Sequence, residues 1–264
     1  MMDRRKFLQI AAAGAVVPAL LRAGDTDGAA QETAALYDKL GLKYWIYNVK
    51  DYGVKGDGIT DDVPAIYDLF VRANRETESS PGVKSGPIYF FPAGRYMIGE
   101  KLQIQNEGPA RGDKIQANYG CHLIGQGAAV TQIVLKSKAK GYDDPQNPQD
   151  VVTLSRHCGE SMGMLIDGFS ILGNEDGTNP GTIGLYWGMH VGISRNLILA
   201  AGHTCYVEEW GGLPTMENIT CLGGRFGLMT RGGQIYRNVS CLGFSERGVQ
   251  MQGRDASVPT CIYN

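Results

Sequence analysis

Short apolar runs of three to five residues, alternating with polar positions and broken by glycine, recur through the second half of the chain at a spacing of roughly 20 residues. Met216-Glu217-Asn218-Ile219-Thr220-Cys221-Leu222-Gly223 and Tyr236-Arg237-Asn238-Val239-Ser240-Cys241-Leu242-Gly243 share one pattern, and Ser194 to Leu199 and Ile166 to Ile171 are looser copies. A second series runs between them: Gly184-Leu185-Tyr186-Trp187, Cys205-Tyr206-Val207-Glu208, Gly227-Leu228-Met229-Thr230 and Gly248-Val249-Gln250-Met251. Each period therefore holds at least two strands. Strands this short cannot bury an apolar face alone but can do so by stacking on the next copy, which predicts a solenoid. Leucine-rich repeats have similar periods, but the leucine spacing is wrong for them and the turns carry Asn and Gly where a helix would be needed. With glycine supplying tight corners, the solution is a parallel β-helix. Asn196, Asn218 and Asn238 recur at one phase, where stacked amides can bond along the axis and satisfy backbone groups at a bend. That ladder also accounts for the two sequon-like triplets beginning at Asn218 and Asn238.

The first half has a different texture. Residues 31–45 read as a linker with a short helix, and the strand pattern begins at residue 46. The run from Asp51 to Asp62 is rich in turn residues and ends in a helix-start signal, with Thr60 or a neighbouring aspartate as cap. The helix that follows carries Val63, Ile66, Tyr67 and Phe70 on one face, ends between Asn74 and Glu78, and is placed to close one end of the β-helix. Ile88 to Ile98 reads as strand, tight turn, strand, and Cys121 to Gly127 followed by Thr131 to Leu135 repeats the logic. Residues 138–150 form an exposed loop.

Composition narrows the partners. A chain of 264 residues with 43% hydrophobic residues supports one main buried core, and a net charge of −2 provides no basic stripe for nucleic acid. Asp3-Arg4-Arg5-Lys6-Phe7-Leu8 precedes an apolar run from Ile10 to Leu21 that is short for a membrane span. Residues 1–30 thus resemble a twin-arginine export signal, cleaved after Ala23 or Ala30, which implies passage through the twin-arginine machinery to the bacterial periplasm or medium without a stable membrane anchor. Six cysteines in an exported protein would suggest disulfides, but Cys221, Cys241 and Cys261 fall at a regular step of 20 residues, which points to stacked core thiols instead.

Three motifs occur in order: Tyr52-Gly53-Val54-Lys55-Gly56-Asp57-Gly58-Ile59-Thr60-Asp61-Asp62, then Tyr89-Phe90-Phe91-Pro92-Ala93-Gly94-Arg95-Tyr96, then Leu123-Ile124-Gly125-Gln126-Gly127. Together they resemble the opening of the rhamnogalacturonase/epimerase-like branch of the pectate-lyase superfamily. The resemblance implies an all-β, right-handed, single-stranded parallel β-helix over residues 46–264 with an N-terminal capping α-helix, and a polysaccharide as partner. It leaves the chemistry open, because a fold hosts many reactions. Asp57, Asp61 and Asp62 in the first motif read as turn and cap residues.

Glycoside hydrolysis uses two carboxyl groups, about 5 to 9.5 Å apart depending on the stereochemical course. Uronate elimination needs a base near the C5 proton and a cation to neutralise the sugar carboxylate. If Gly211-Gly212 and Gly232-Gly233 mark one corner, Val207 and Leu228 point inward and Glu208 and Met229 outward, with Trp210 and Arg231 on the next outward line. Tyr186, Gln250 and Gln252 extend this face as sugar-binding positions, and aromatic rings beside Glu and Arg suit a sugar. Glu208 is the candidate acid, Arg231 the candidate cation and His190 a candidate base; Glu209 should face the opposite side. Asp167 and Asp176 read as turn residues and His203 as a structural histidine. Gly188 to Gly192 is only loosely similar to the glycine-histidine motif of polygalacturonases, whose paired aspartates have no counterpart. No cofactor follows from these residues, and calcium, though open, is not indicated. The chain stops at Asn264 within what reads as another coil, so a covering partner, self-association through the exposed coil, or a longer parent enzyme is expected there. The reading is a polysaccharide hydrolase or lyase; its rival is a non-catalytic glycan-binding or structural β-helix.

Overall fold

The computed structural model describes residues 46–78, 87–104, 121–154, 162–188, 191–209, 214–231, 235–251 and 261–263. The chain divides into two units, Met1–Trp45 and Ile46–Asn264, and every described residue lies in the second. The expected signal and linker fall outside the described residues.

The described strands wind into a right-handed parallel β-helix with three faces. The first face is built by β1 (Ile46–Asn48), β3 (Ile88–Phe91), β6 (His122–Gly125) and β9 (Met162–Asp167). The second is built by β2 (Asp57–Asp61), β4 (Gly94–Ile98), β7 (Thr131–Leu135) and β10 (Ser170–Leu172). From β12 (Val191–Ala200) onward one long strand serves both: its first half pairs with β9, its second with β10, and β14 (Thr215–Leu222), β16 (Ile235–Leu242) and β18 (Cys261–Tyr263) stack on it. The third face is a separate sheet of β5 (Leu102–Gln103), β8 (Gln149–Leu154), β11 (Thr182–Trp187), β13 (Thr204–Glu208), β15 (Phe226–Thr230) and β17 (Arg247–Met251).

What bends the long strands is the asparagine ladder. Asn196, Asn218 and Asn238 have φ of 52°, 54° and 50°, the left-handed region that asparagine enters more readily than most residues. The Nδ2 of Asn238 donates to Asn218 Oδ1 at 2.9 Å, and that of Asn218 to Asn196 Oδ1 at 3.1 Å. The Nδ2 of Asn196 donates in turn to Asp167 Oδ1 at 2.7 Å. One coil earlier the bend falls at Gly168, with φ of 80°, where a Cβ would lie 2.7 Å from the Gly125 carbonyl oxygen. Glycine is required there on both counts.

Inward positions form continuous stacks: Tyr96, Ile133, Ile171, Leu199 and Cys221 along the second face, and Leu102, Val152, Leu185, Tyr206 and Leu228 along the third, each at most 3% exposed. Each such aliphatic burial contributes about 1.5 to 3 kcal/mol before entropy is charged against it. On the outside of the first face, Asp167, Arg195, Glu217 and Arg237 alternate in charge along one register line.

The helix α1 (Val63–Glu78) follows β2, where later coils place a third-face strand. It buries Val63, Ile66, Leu69, Phe70 and Ala73, and the Phe70 ring lies 4.5 Å from that of Tyr89 in the core. The Tyr67 hydroxyl donates to the Lys101 carbonyl at 2.7 Å and accepts from the Gln103 amide at 3.0 Å, fixing the helix to β5. The capping role expected of the helix is therefore realised.

The aspartates of the opening motif serve the turn. Asp57 accepts from the amides of Ile59 and Thr60, and Asp62 accepts from those of Lys55 and Gly56. Asp61, rather than Thr60, accepts from the Val63 amide at the helix start. Cysteine stacking is met in part: Cys221 and Cys241 pair in register, but Cys261 lies opposite Ile235, because the last connection does not keep the 20-residue step.

Two outcomes follow. Asn218→Ala puts a Cβ-bearing residue without a side-chain amide into a left-handed bend, and should lower stability by about 1 to 3 kcal/mol in denaturant titrations, with Asn218→Gly costing less. Hydrogen bonds to Thr60 and Ile59 hold the Asp57 carboxyl down from 3.8 to about 2. The folded pKa is depressed, so this contribution is present above the unfolded value and is lost as pH falls from about 4 toward 2. Asp57→Asn should flatten the stability–pH curve in that window, read by thermal melts.

Candidate functional site

The third face carries the residues expected to act on substrate, and its register decides which of them point outward. Tyr186 pairs with Val207, Val207 with Met229, and Met229 with Gln250, forming the outer line. Trp187 pairs with Glu208, placing Glu208 on the inner line beside Thr230. The expected outward pairing of Glu208 with Met229 is thus corrected. The coil step here is one residue longer than the glycine pairs suggest, and a one-residue slip exchanges the two faces of a strand.

Glu208 is 1% exposed. Its Oε2 accepts from the Thr230 hydroxyl at 3.2 Å and from the Arg231 amide at 3.2 Å. The carboxylate lies in a polar pocket of the core with Tyr206, whose hydroxyl shares a 3.2 Å hydrogen bond with Ser194. Burial pushes the Tyr206 and Tyr236 hydroxyls above their ordinary range, and the nearby Glu208 charge adds to both shifts. Glu208 therefore ties β13 to β15 and fixes the backbone from which the Arg231 side chain departs.

The carboxylate that reaches solvent is its neighbour. Arg231 Nη2 donates to Glu209 Oε1 at 3.3 Å, with the two side chains 27% and 35% exposed. The sequence pattern turns Glu209 to the opposite side of the strand from Glu208; the same one-residue slip that buries Glu208 brings Glu209 out to Arg231. Tyr186 belongs to the outer line but is only 5% exposed, which corrects its expected role as an open stacking surface. Gln250 is half-buried at the upper end of the line. His190, Trp210 and Gln252 lie outside the described residues.

The remaining candidates are structural. Asp167, expected in a turn, is the last residue of β9; it is buried and paired with Arg195 Nη2 at 2.8 Å. Asp176 holds a turn through the amide and hydroxyl of Thr178. His203 bonds the Thr204 hydroxyl through Nδ1 at 2.8 Å and packs edge-on against Phe226, and burial lowers its pKa, helped by Arg225. A cavity of about 480 Å³ that sequence reasoning missed opens beside β5 and β8, lined by Glu100, Lys101, Lys140, Tyr142, Asp143 and Gln149 among others. The loop behind it, expected to be wholly exposed, buries Tyr142, whose hydroxyl donates to the Asp150 carbonyl at 2.7 Å. Among the described residues, no group of three His, Cys, Asp or Glu converges to hold a metal ion.

A three-faced parallel β-helix with a capping helix is the architecture of the pectate-lyase-like, carbohydrate-active proteins. The chain belongs to the family described as rhamnogalacturonase A/epimerase, pectate lyase-like, which matches residues 46–261. It is 27% identical over 210 residues to the non-secreted LysM effector LysM19 of Penicillium expansum; the match takes 75% of this chain but only 15% of that protein. Among solved structures it is similar to the A-modules of the Azotobacter vinelandii mannuronan C-5 epimerases AlgE4 and AlgE6. The TM-scores are 0.52 and 0.50 and the identities 19% and 18%; each match covers 82% of this chain, with 63% and 62% of those chains. At these identities the likeness is one of fold.

The buried carboxylate yields a test. Glu208→Ala removes the acceptor shared by the Thr230 hydroxyl and the Arg231 amide and should cost about 1 to 3 kcal/mol in equilibrium unfolding, whereas Glu208→Gln, which keeps an acceptor, should cost less than half of that.

Proposed function

We propose that this protein acts on a uronate-bearing polysaccharide by abstraction of the sugar C5 proton, with the Glu209–Arg231 pair as its working groups. The observation that carries the reading is that pair, half-exposed at the end of the outer line of the third face, in a chain of this family. A guanidinium is suited to a sugar carboxylate, which it can engage through two parallel hydrogen bonds. Once the substrate carboxylate takes that place, Glu209 is released beside it as a base. Neutralising the carboxylate makes the C5 proton more acidic, and a positioned base removes it. In elimination the C5–H and C4–O4 bonds break, a C4–C5 double bond forms, and the departing oxygen takes up a proton. Return of a proton to the opposite side of C5 would instead give epimerisation, the activity for which the two Azotobacter proteins are named. Val207, Met229 and Gln250 would lie along the sugar chain.

Glycoside hydrolysis is the neighbouring reaction, with Glu209 as one of two carboxyl groups. A second reading is glycan binding without turnover. It is favoured by the LysM19 match, in which a region like this one is a small part of a protein named as an effector. Residues 1–30 fit an export signal, and the proposed destination is the bacterial periplasm or medium.

The deciding experiment presents the purified protein with pectins, rhamnogalacturonans, alginate and β-glucans, with and without calcium. It follows reducing ends, the ultraviolet absorbance of unsaturated uronates and C5 configuration by NMR. Unsaturated product or inversion at C5 is expected, with Arg231→Ala and Glu209→Gln each lowering turnover about 100-fold or more. Reducing ends without absorbance would replace the proposal with hydrolysis. Retention on one of these glycans without any product would replace it with binding. For export, Arg4→Lys combined with Arg5→Lys should leave the precursor in the cytosol of a bacterial host, read by fractionation.

A further inference from the structure

Three thiols meet in the core where the second and third faces converge. Cys221 and Cys241 are in-register partners on β14 and β16, both on the inward line of the second face. Cys205, at the start of β13, donates toward the Leu222 and Gly223 carbonyls at 3.5 and 3.6 Å. Cys205 and Cys241 are close enough to Cys221 for both to act on its thiol and push its pKa up. None of the three is joined in a disulfide. Gly227 on the next coil makes room for this cluster, since a Cβ there would lie 3.0 Å from Cys241 Sγ and 2.3 Å from the Gly248 carbonyl oxygen.

The two members of the in-register pair are not equivalent. Cys221 is 1% exposed, whereas Cys241 is half-buried. The contact with Cys221 favours the Cys241 thiolate and lowers its pKa, while the Cys221 thiol is held up by its two sulfur neighbours and by burial. Thiolate character and access together make Cys241 the sulfur that meets an oxidant first. In-register residues on adjacent parallel strands sit about 4.8 Å apart at Cα, inside the range of roughly 4.4 to 6.8 Å that a disulfide spans. Their parallel Cβ directions leave the Cβ atoms wider apart than the usual separation of about 3.8 Å, so closure must draw the two strands together locally. A bond formed against such resistance is readily reduced.

We propose that Cys221 and Cys241 form a reversible disulfide that staples the coils of β14 and β16, with Cys205 remaining a free neighbour. The Cys241 thiolate attacks a small disulfide such as oxidised glutathione, expelling one thiolate and forming a mixed disulfide. Cys221 then loses its proton and attacks Cys241 Sγ, expelling the second. Two protein thiols and one small disulfide become one protein disulfide and two small thiols, so atoms and electrons balance. The regular stacking that places the cysteines as core residues is also what brings their sulfurs within reach.

The experiment treats the folded full-length protein with oxidised glutathione or with dithiothreitol, then alkylates under denaturing conditions and maps peptides by mass spectrometry. Oxidation is expected to remove two alkylatable thiols, to yield a Cys221–Cys241 cross-linked peptide and to raise the melting temperature by several degrees, all reversed by dithiothreitol. Cys241→Ser should abolish the cross-link and Cys205→Ser should preserve it, with circular dichroism confirming that both variants fold. Full retention of free thiols, at an oxidant level that closes a control dithiol, would overturn the proposal. So would a cross-link to Cys205, Cys158 or Cys261 in place of the Cys221–Cys241 pair.

Discussion

The left-handed bend at Asn196, Asn218 and Asn238 is the constraint on which the upper half of the molecule depends. A strand that simply continued would give a flat ribbon with nothing to enclose. The bend turns one ten-residue strand into two walls of a core, and the amide ladder supplies the hydrogen bonds that the turned residues would otherwise lack. With the bend fixed, the third face is placed to close the cross-section, and the inward stacks of Leu, Ile, Tyr and Cys follow from strand alternation alone.

The same bend was legible in the sequence because it leaves a chemical mark. Asparagine at a constant phase, followed by an apolar residue, has few explanations other than stacked coils. The capping helix was legible too, since Val63, Ile66 and Phe70 repeat at helical spacing behind an aspartate-rich turn. What escaped was the register of the third face. Its corners hold glycine pairs that look equivalent, yet the step from β13 to β15 is not the step between those pairs. Alternation in a strand has period two, so an error of one residue exchanges every inside with every outside. This is why the sequence pattern points to Glu208 as the surface acid while Glu209 holds that place. Cys261 escaped for a related reason: a step that holds for two coils need not hold for a third, because connections between coils vary in length at little energetic cost.

A buried carboxylate next to an exposed one is a sensible division of labour. The exposed glutamate is free to exchange its partner because its hydrogen bond to arginine is solvent-screened and weak. The buried one cannot, since its acceptor oxygen holds a buried hydroxyl and a backbone amide, contacts that are costly to give up. One residue thus keeps the arginine's backbone fixed while the adjacent residue leaves its side chain exchangeable. The fold permits this because consecutive residues of a strand belong to different environments.

The asparagine ladder also has a direction. Each amide donates to the coil before it, from Asn238 to Asn218 to Asn196, and the last donates to the Asp167 carboxylate. The side-chain dipoles are therefore aligned head to tail along the solenoid axis and polarise one another, much as peptide dipoles do within an α-helix. Asp167, whose other oxygen holds the Arg195 guanidinium, sits at the positive end of this row, so the row of amides is electrically polar and the coils that look like repeats are ordered by their distance from the carboxylate that terminates it.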